Sequence, residues 1–202
     1  MELVRALAVL VEPPAAEHAL VARALDLPVP TAREHTDLFL FQLYPYASVY
    51  AGAEGMLGGE AGDRVAGFWR ALGLTPPAEP DHLAALLGLY AMLGDRDAPT
   101  EWRRALLWEH LLSWLPVFLA KLDEVAPPSY RAWGRLLADV LAAEAEKLGP
   151  QALLPLHLRS APPLEPPNET GGGAFLSGLL APVRSGFVLV RDDLRRAAAE
   201  LE

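Results

Sequence analysis

The chain has 202 residues, a net charge of −9 and no cysteine, with 52% of residues hydrophobic and 21% charged. That length can bury a real core, and the composition excludes a disordered chain, a collagen and a disulfide scaffold. The missing thiol removes disulfides, thiolate metal sites and cysteine nucleophiles. The acidic balance argues against nucleic acid, which needs clustered Lys and Arg, and suits a cationic partner.

Leu (39) and Ala (34) abound and Ile is absent, a bias toward helix formers that predicts an all-α protein. Leu3 to Val11 is apolar but interrupted by Arg5 and stopped by Pro13 and Pro14. It is too short to span a bilayer, which takes about 20 apolar residues, and Glu2 stands where a signal peptide carries positive charge. The expectation is a cytoplasmic protein without integral membrane contact.

In chain order, residues 2–12 are expected to be helical, with an edge strand as the alternative, and Pro14 opens a second helix reaching Leu27. Thr31 and Glu34 form a capping box for a third helix, which Pro45 ends. Gly52, Gly55, Gly58 and Gly59 make a bend before a helix over 60–72, with Gly73 just beyond its end. From Pro80, the residues Leu83, Leu86, Leu87, Tyr90 and Leu93 recur at helical spacing. Asp81 is expected in that helix's first turn, where a carboxylate complements the dipole, and Gly94 is expected to end it. Thr100 is expected to cap a long helix carrying Leu107, His110, Leu111, Trp114 and Phe118, kinked or broken at Pro116. Ser129 to Leu148 forms another long helix that Gly149 and Pro150 terminate.

Composition changes after Ser160: Ala161 to Gly173 holds four Pro and three Gly and reads as a loop. A short helix near 174–180, an extended stretch over 187–190 and a final helix capped by Asp192 or Asp193 follow. The expected organisation is one helical bundle over 1–160, a Pro/Gly-rich loop over 161–173 and a C-terminal segment, 174–202, packing on the bundle.

Four histidines follow an acid directly, in Glu17-His18, Glu34-His35, Asp81-His82 and Glu109-His110, and the last two are the candidate pairs because they fall on expected helices of the central bundle. One reading is a metal-dependent hydrolase using Asp81, His82, Glu109 and His110. Against it, the paired Glu-x-x-His spacing of helical di-iron proteins is absent, since Glu79-Pro80-Asp81-His82 has no second copy, and HD-type phosphohydrolases have the opposite order. There is no G-x-S-x-G, P-loop or dinucleotide fingerprint, so no cofactor is expected. Most aromatic residues should be core. Tyr46 and Tyr50 differ, because they lie in Pro45-Tyr46-Ala47-Ser48-Val49-Tyr50, directly after a helix stop where irregular backbone carries function.

That hexapeptide is followed by Phe68-Trp69-Arg70-Ala71-Leu72-Gly73-Leu74, by Glu79-Pro80-Asp81-His82-Leu83, by Glu109-His110-Leu111-Leu112-Ser113-Trp114-Leu115-Pro116-Val117-Phe118, and by Tyr130. In order and spacing, over about 37–145, these segments resemble the TorD-like chaperones, or redox enzyme maturation proteins, kin of the nitrate reductase delta-subunit assembly factors. The resemblance implies an all-α, TorD-like bundle that is not an enzyme. It implies a chaperone that binds the N-terminal, often twin-arginine, signal peptide and the apo form of a molybdenum-cofactor oxidoreductase subunit, delaying export or assembly until the cofactor is inserted. It implies a monomer or a domain-swapped dimer. The peptide-binding region it implies maps to Pro80, Asp81, His82, Glu109 and His110, beside Tyr46, Tyr50 and Trp114. Two departures stand out: Glu109 where Asp is common, and Gly88 where an acid is frequent. Asp81 and Glu109 are expected to face the leader's cations from one shared pocket.

Overall fold

A computed structural model describes residues 1–52, 56–159, 173 and 188–200. In chain order the helices are α1 (Glu2–Val9), α2 (Ala16–Ala24), α3 (Ala32–His35), α4 (Ala47–Ala51), α5 (Gly59–Ala71), α6 (Leu83–Asp95), α7 (Thr100–Ala105), α8 (Leu115–Val125), α9 (Pro128–Leu148), α10 (Leu156–Arg159) and α11 (Arg191–Glu200). No strand occurs among the described residues; extended pairing is limited to one isolated antiparallel bridge, Tyr46 to His82. The all-α expectation holds.

α6 is the central helix. Its expected stripe of Leu83, Leu86, Leu87, Tyr90 and Leu93 is buried, and so is Leu89 on another face, because α1, α7 and the turn after α7 surround it. α8 and α9 pack side by side, and α9 also meets α1, where the Trp133 indole donates to the Leu7 carbonyl at 3.0 Å. Phe39, Phe118, Tyr130 and Trp133 meet edge-on or stacked in the core. Tyr90, Arg103 and Lys147 all reach the carboxylate of the buried Glu144, at 2.6–2.8 Å, tying α6, α7 and α9 together.

The helix signals mostly act as expected. Glu34 N–H donates to Thr31 Oγ1, and Thr31 N–H donates to Glu34 Oε2, completing the capping box. Gly73 and Gly149 follow their helices at φ 75° and 72°, the left-handed conformation glycine adopts without strain. The expected break at Pro116 is present. Leu115 starts a new helix with Pro116 in its first turn, the axes on either side bend by 51°, and Trp114 and Phe118 stay buried. This bent pair is long and apolar taken together, but Leu106, Leu107, Leu111, Leu115 and Leu122 spend that apolarity in the core. Among the described residues no single helix is long and apolar enough to cross a membrane.

Several boundaries differ. α2 begins at Ala16, not Pro14, because the His18 ring accepts the Ala15 amide at 2.8 Å and fixes the start there; it ends at Ala24, and Asp26 turns with φ 54°. Gly94 lies inside α6 rather than beyond it. Its missing side chain makes room for Met1, which a Cβ would overlap, and Asp97 (φ 47°) makes the turn instead. Thr100 is the first residue of α7, behind Pro99. α3 and α7 each run on into a π-helical turn, Thr36–Leu40 and Leu106–Leu111, with wide-ring bonds from Leu43 N–H to Leu38 and from Leu112 N–H to Leu107.

The Pro/Gly-rich loop (except Gly173) and the short helix near 174–180 lie outside the described residues, as does Phe187. Val188 to Val190 form no strand, and Val188 and Val190 are buried. Asp193 Oδ2 accepts the Val190 amide at 3.0 Å and pairs with Lys121 of α8 at 2.9 Å. Gln42 and Asp192 exchange two hydrogen bonds.

Candidate functional site: two cavities on either side of one helix

The segments around Tyr46 and Asp81 are zipped together. Leu83 N–H donates to the Pro45 carbonyl at 2.8 Å, and Ala47 N–H to the Asp81 carbonyl at 3.0 Å. The Asp81 carboxylate accepts the Ser48 amide at 3.0 Å. Asp81 therefore serves the N-terminus of α4, not of α6 as the sequence implied. α6 is capped by His82, whose Nδ1 accepts the Ala84 amide at 3.3 Å and lies 3.7 Å from Glu12. Burial holds the His82 pKa below the usual imidazole value against the pull of Glu12, Glu79 and Asp81, so the lone pair that makes the cap is kept. The Tyr46 ring meets His82 edge-on at 4.8 Å. Burial, with the Glu79 carboxylate beside it, pushes the Tyr46 phenol up to about 12.

Tyr46, Pro80 and Asp81 form one side of a cavity of about 550 Å³ whose other side comes from α5 and the chain after it, with Asp63, Arg70 and Glu79 on its rim. Three acids face one base there. Asp63 and Glu79 are exposed, whereas Asp81 is 5% exposed.

Glu109 and His110 lie elsewhere. They line a second cavity of about 380 Å³ with Arg64, Phe68, His157 and Arg159. α5 is the partition. Gly62, Asp63, Ala66 and Arg70 face the first cavity, and Ala61, Arg64, Val65 and Phe68 face the second. The expected single pocket for both acid–His pairs is thus replaced by two, because a whole helix intervenes. Glu109 is also not a free acid: Oε1 accepts from Gln151 Nε2 at 2.9 Å and Oε2 from the Leu156 amide at 2.7 Å. The His110 ring leans on Phe68 at 4.8 Å. Burial, with the Arg64 charge in support and Glu109 opposing, pushes its pKa down to about 4.

Two further candidates sit in the core. Tyr50 and Trp114 stack on each other at 5.1 Å, with exposures of 2% and 0%. The Tyr50 hydroxyl donates to the Tyr44 carbonyl and the Trp114 indole to the His110 carbonyl, both at 2.8 Å. They brace the segments that line the cavities and present no surface to a ligand. Asp63, Glu79, Arg64 and His157 are lining residues that motif reading passed over. Glu79 heads the Glu79-Pro80-Asp81-His82-Leu83 segment without an expected contact of its own, and Asp63-Arg64 is an opposite-charge neighbour pair whose members must point to different faces of a helix.

Among the described residues no three His, Asp or Glu are placed to hold a metal ion. With the acid–His pairs on opposite sides of α5, the hydrolase reading has no converging ligand set. The family model for the nitrate reductase delta subunit matches residues 13–120, more than half the chain and both walls of the first cavity. No match is found among curated proteins.

Proposed function

Because the chain belongs to the nitrate reductase delta-subunit family, whose members are molybdoenzyme assembly chaperones rather than enzymes, we propose that it binds the N-terminal, twin-arginine-type leader of an apo molybdoenzyme subunit. It acts in the cytoplasm and withholds that subunit from export or assembly until the cofactor is in place. The observation that carries this reading is the first cavity: three acids against one base beside Tyr46, at the Pro80-Asp81-His82 segment.

Exposed Asp63 and Glu79 meet the leader's cations through charge-assisted hydrogen bonds, Asp81 contributes field from below, and Tyr46, Leu57 and Pro80 take the adjoining apolar part. His82 holds Tyr46 in position. The net charge of −9 steers a basic peptide inward and makes its binding salt-dependent. Glu109 and His110 take no part in the leader contact, and Tyr50 and Trp114 act only by bracing.

The test is calorimetric titration with the leader of the co-purifying subunit, at low and at moderate salt. Asp63→Asn and Glu79→Gln should each weaken binding by roughly 3- to 10-fold at low salt with the melting temperature unchanged. Replacing both leader arginines by glutamine should weaken it further. Equal affinity for wild type and both variants at low salt would remove the first cavity from the site.

A further inference from the structure

We propose that the second cavity is a binding site for a small organic oxyanion, a phosphate monoester or a carboxylate, with its charged end between Arg64 and Arg159 and its apolar body against Phe68. This site is separate from the leader contact and does not depend on it.

The chain is acidic overall, yet this cavity is lined by two guanidinium groups, two imidazoles and a single carboxylate. That carboxylate, Glu109, has both oxygens occupied by Gln151 and the Leu156 amide. Neither arginine has a carboxylate within ion-pair distance among the described residues. Arg64 reaches only the Ala51 carbonyl, at 3.5 Å, and Arg159 the Leu154 carbonyl, at 2.6 Å. Most guanidinium donors are left for a ligand, in a fork geometry that matches an oxyanion.

The imidazoles complete the cradle. His157 Nε2 is buried without a hydrogen-bond partner, and such a group calls for an occupant. Burial, with Arg64 adding to it, holds both His110 and His157 below the ordinary imidazole pKa. The charged groups facing them are Arg64 from α5, Glu109 from the π-turn and Arg159 from α10. An anion here offsets the Arg64 charge and draws a proton onto an imidazole. The rest of the wall is Ala47, Ala51, Val65 and Phe68, a surface for a planar or apolar body, and about 380 Å³ lies within the usual range for small-molecule sites.

The probes are phenyl phosphate, benzoate and inorganic phosphate, titrated calorimetrically into the full chain. Phenyl phosphate should bind saturably and more tightly than inorganic phosphate. A matching signal from benzoate identifies a general oxyanion site, and its absence a phosphate site. Arg64→Gln and Arg159→Gln should each weaken phenyl phosphate by about tenfold, whereas Arg135→Gln, the same charge removed from α9, should not. Arg159 is exposed, so its variant keeps the test open should the Arg64 variant fold poorly. Near pH 5.5, binding measured in buffers of different ionisation enthalpy should show proton uptake that shrinks in His110→Gln. No saturable binding of either aryl anion, or affinity untouched in a folded Arg159 variant, overturns the proposal.

Discussion

The Asp81 carboxylate accepts the Ser48 amide at 3.0 Å while its carbonyl accepts the Ala47 amide, so a residue just before α6 caps α4, 33 positions earlier in the chain. The motif that marks the first cavity is in this way also a structural clasp, and its variants must be judged on both counts.

Asp81→Ala is expected to destabilise the fold by about 1–2 kcal/mol, the cost of a lost N-cap with a buried amide left unpaired. Asp81→Asn retains an acceptor and should lose less than half of that. Urea denaturation separates the two; equal losses would mean that the charge, not the acceptor, matters.

His110 gives a pH signature. Its pKa is about 4 in the folded chain and near 6.5 in the unfolded one. Between those values the unfolded chain carries a proton that the folded chain refuses, so stability should fall as pH drops from about 6.5 to about 4 and be flat above, by about 2–3 kcal/mol in all. Denaturation curves in phosphate-free buffer at pH 7 and pH 4.5 measure the difference. His110→Phe should have a visibly shallower slope, and an identical slope in that variant contradicts the assignment.

Two glycines should respond in opposite directions. Gly88 lies inside α6 with nothing within 4 Å of an added Cβ, so Gly88→Ala should stabilise by about 0.5–1 kcal/mol through helix propensity. In Gly134→Ala the new Cβ would sit 2.6 Å from the Leu122 methyl, in the packed seam of α8 and α9, and overpacking should cost about 1–3 kcal/mol. Melting temperatures moving the same way for both would contradict this packing.

Glu144 holds Tyr90, Arg103 and Lys147 at once. Burial alone would raise its pKa, but hydrogen bonds from Lys147 and Tyr90, with the Lys147 and Arg103 charges, hold it below the usual carboxylate value. Its contribution is therefore present at neutral pH and lost as pH falls through that lowered pKa. Glu144→Ala strands a fully buried phenol and a half-buried guanidinium and should cost about 3–5 kcal/mol. Glu144→Gln, which keeps the shape, should cost less; thermal unfolding distinguishes them.

What the sequence made legible was local. The Leu83–Leu93 stripe, the Thr31–Glu34 box, the break at Pro116 and the glycines at 73 and 149 depend on neighbours a few residues away. The roles of Asp81, Glu109 and Gly94 depend on Ser48, Leu156 and Met1, at separations no periodicity encodes. Adjacency in a motif list also hid the partition: α5 lies between the two acid–His pairs in space, although its own segment precedes both in sequence. Tyr50 and Trp114 show the same limit, since an aromatic residue after a helix stop, like one on a helical stripe, can equally brace a wall or line it.

The π-helical turn over Leu106–Leu111 holds one residue more than an α-helical path of the same rise requires. That spare residue is a point of tolerance. One deletion there closes the wide ring to an α-turn and leaves both flanks presenting their present faces, Trp102 to Ala105 on one side and Trp114 onward on the other. A deletion within α9 has no such slack: every side chain beyond it rotates by about 100° around the axis, carrying Leu137, Leu141 and Glu144 off the core together.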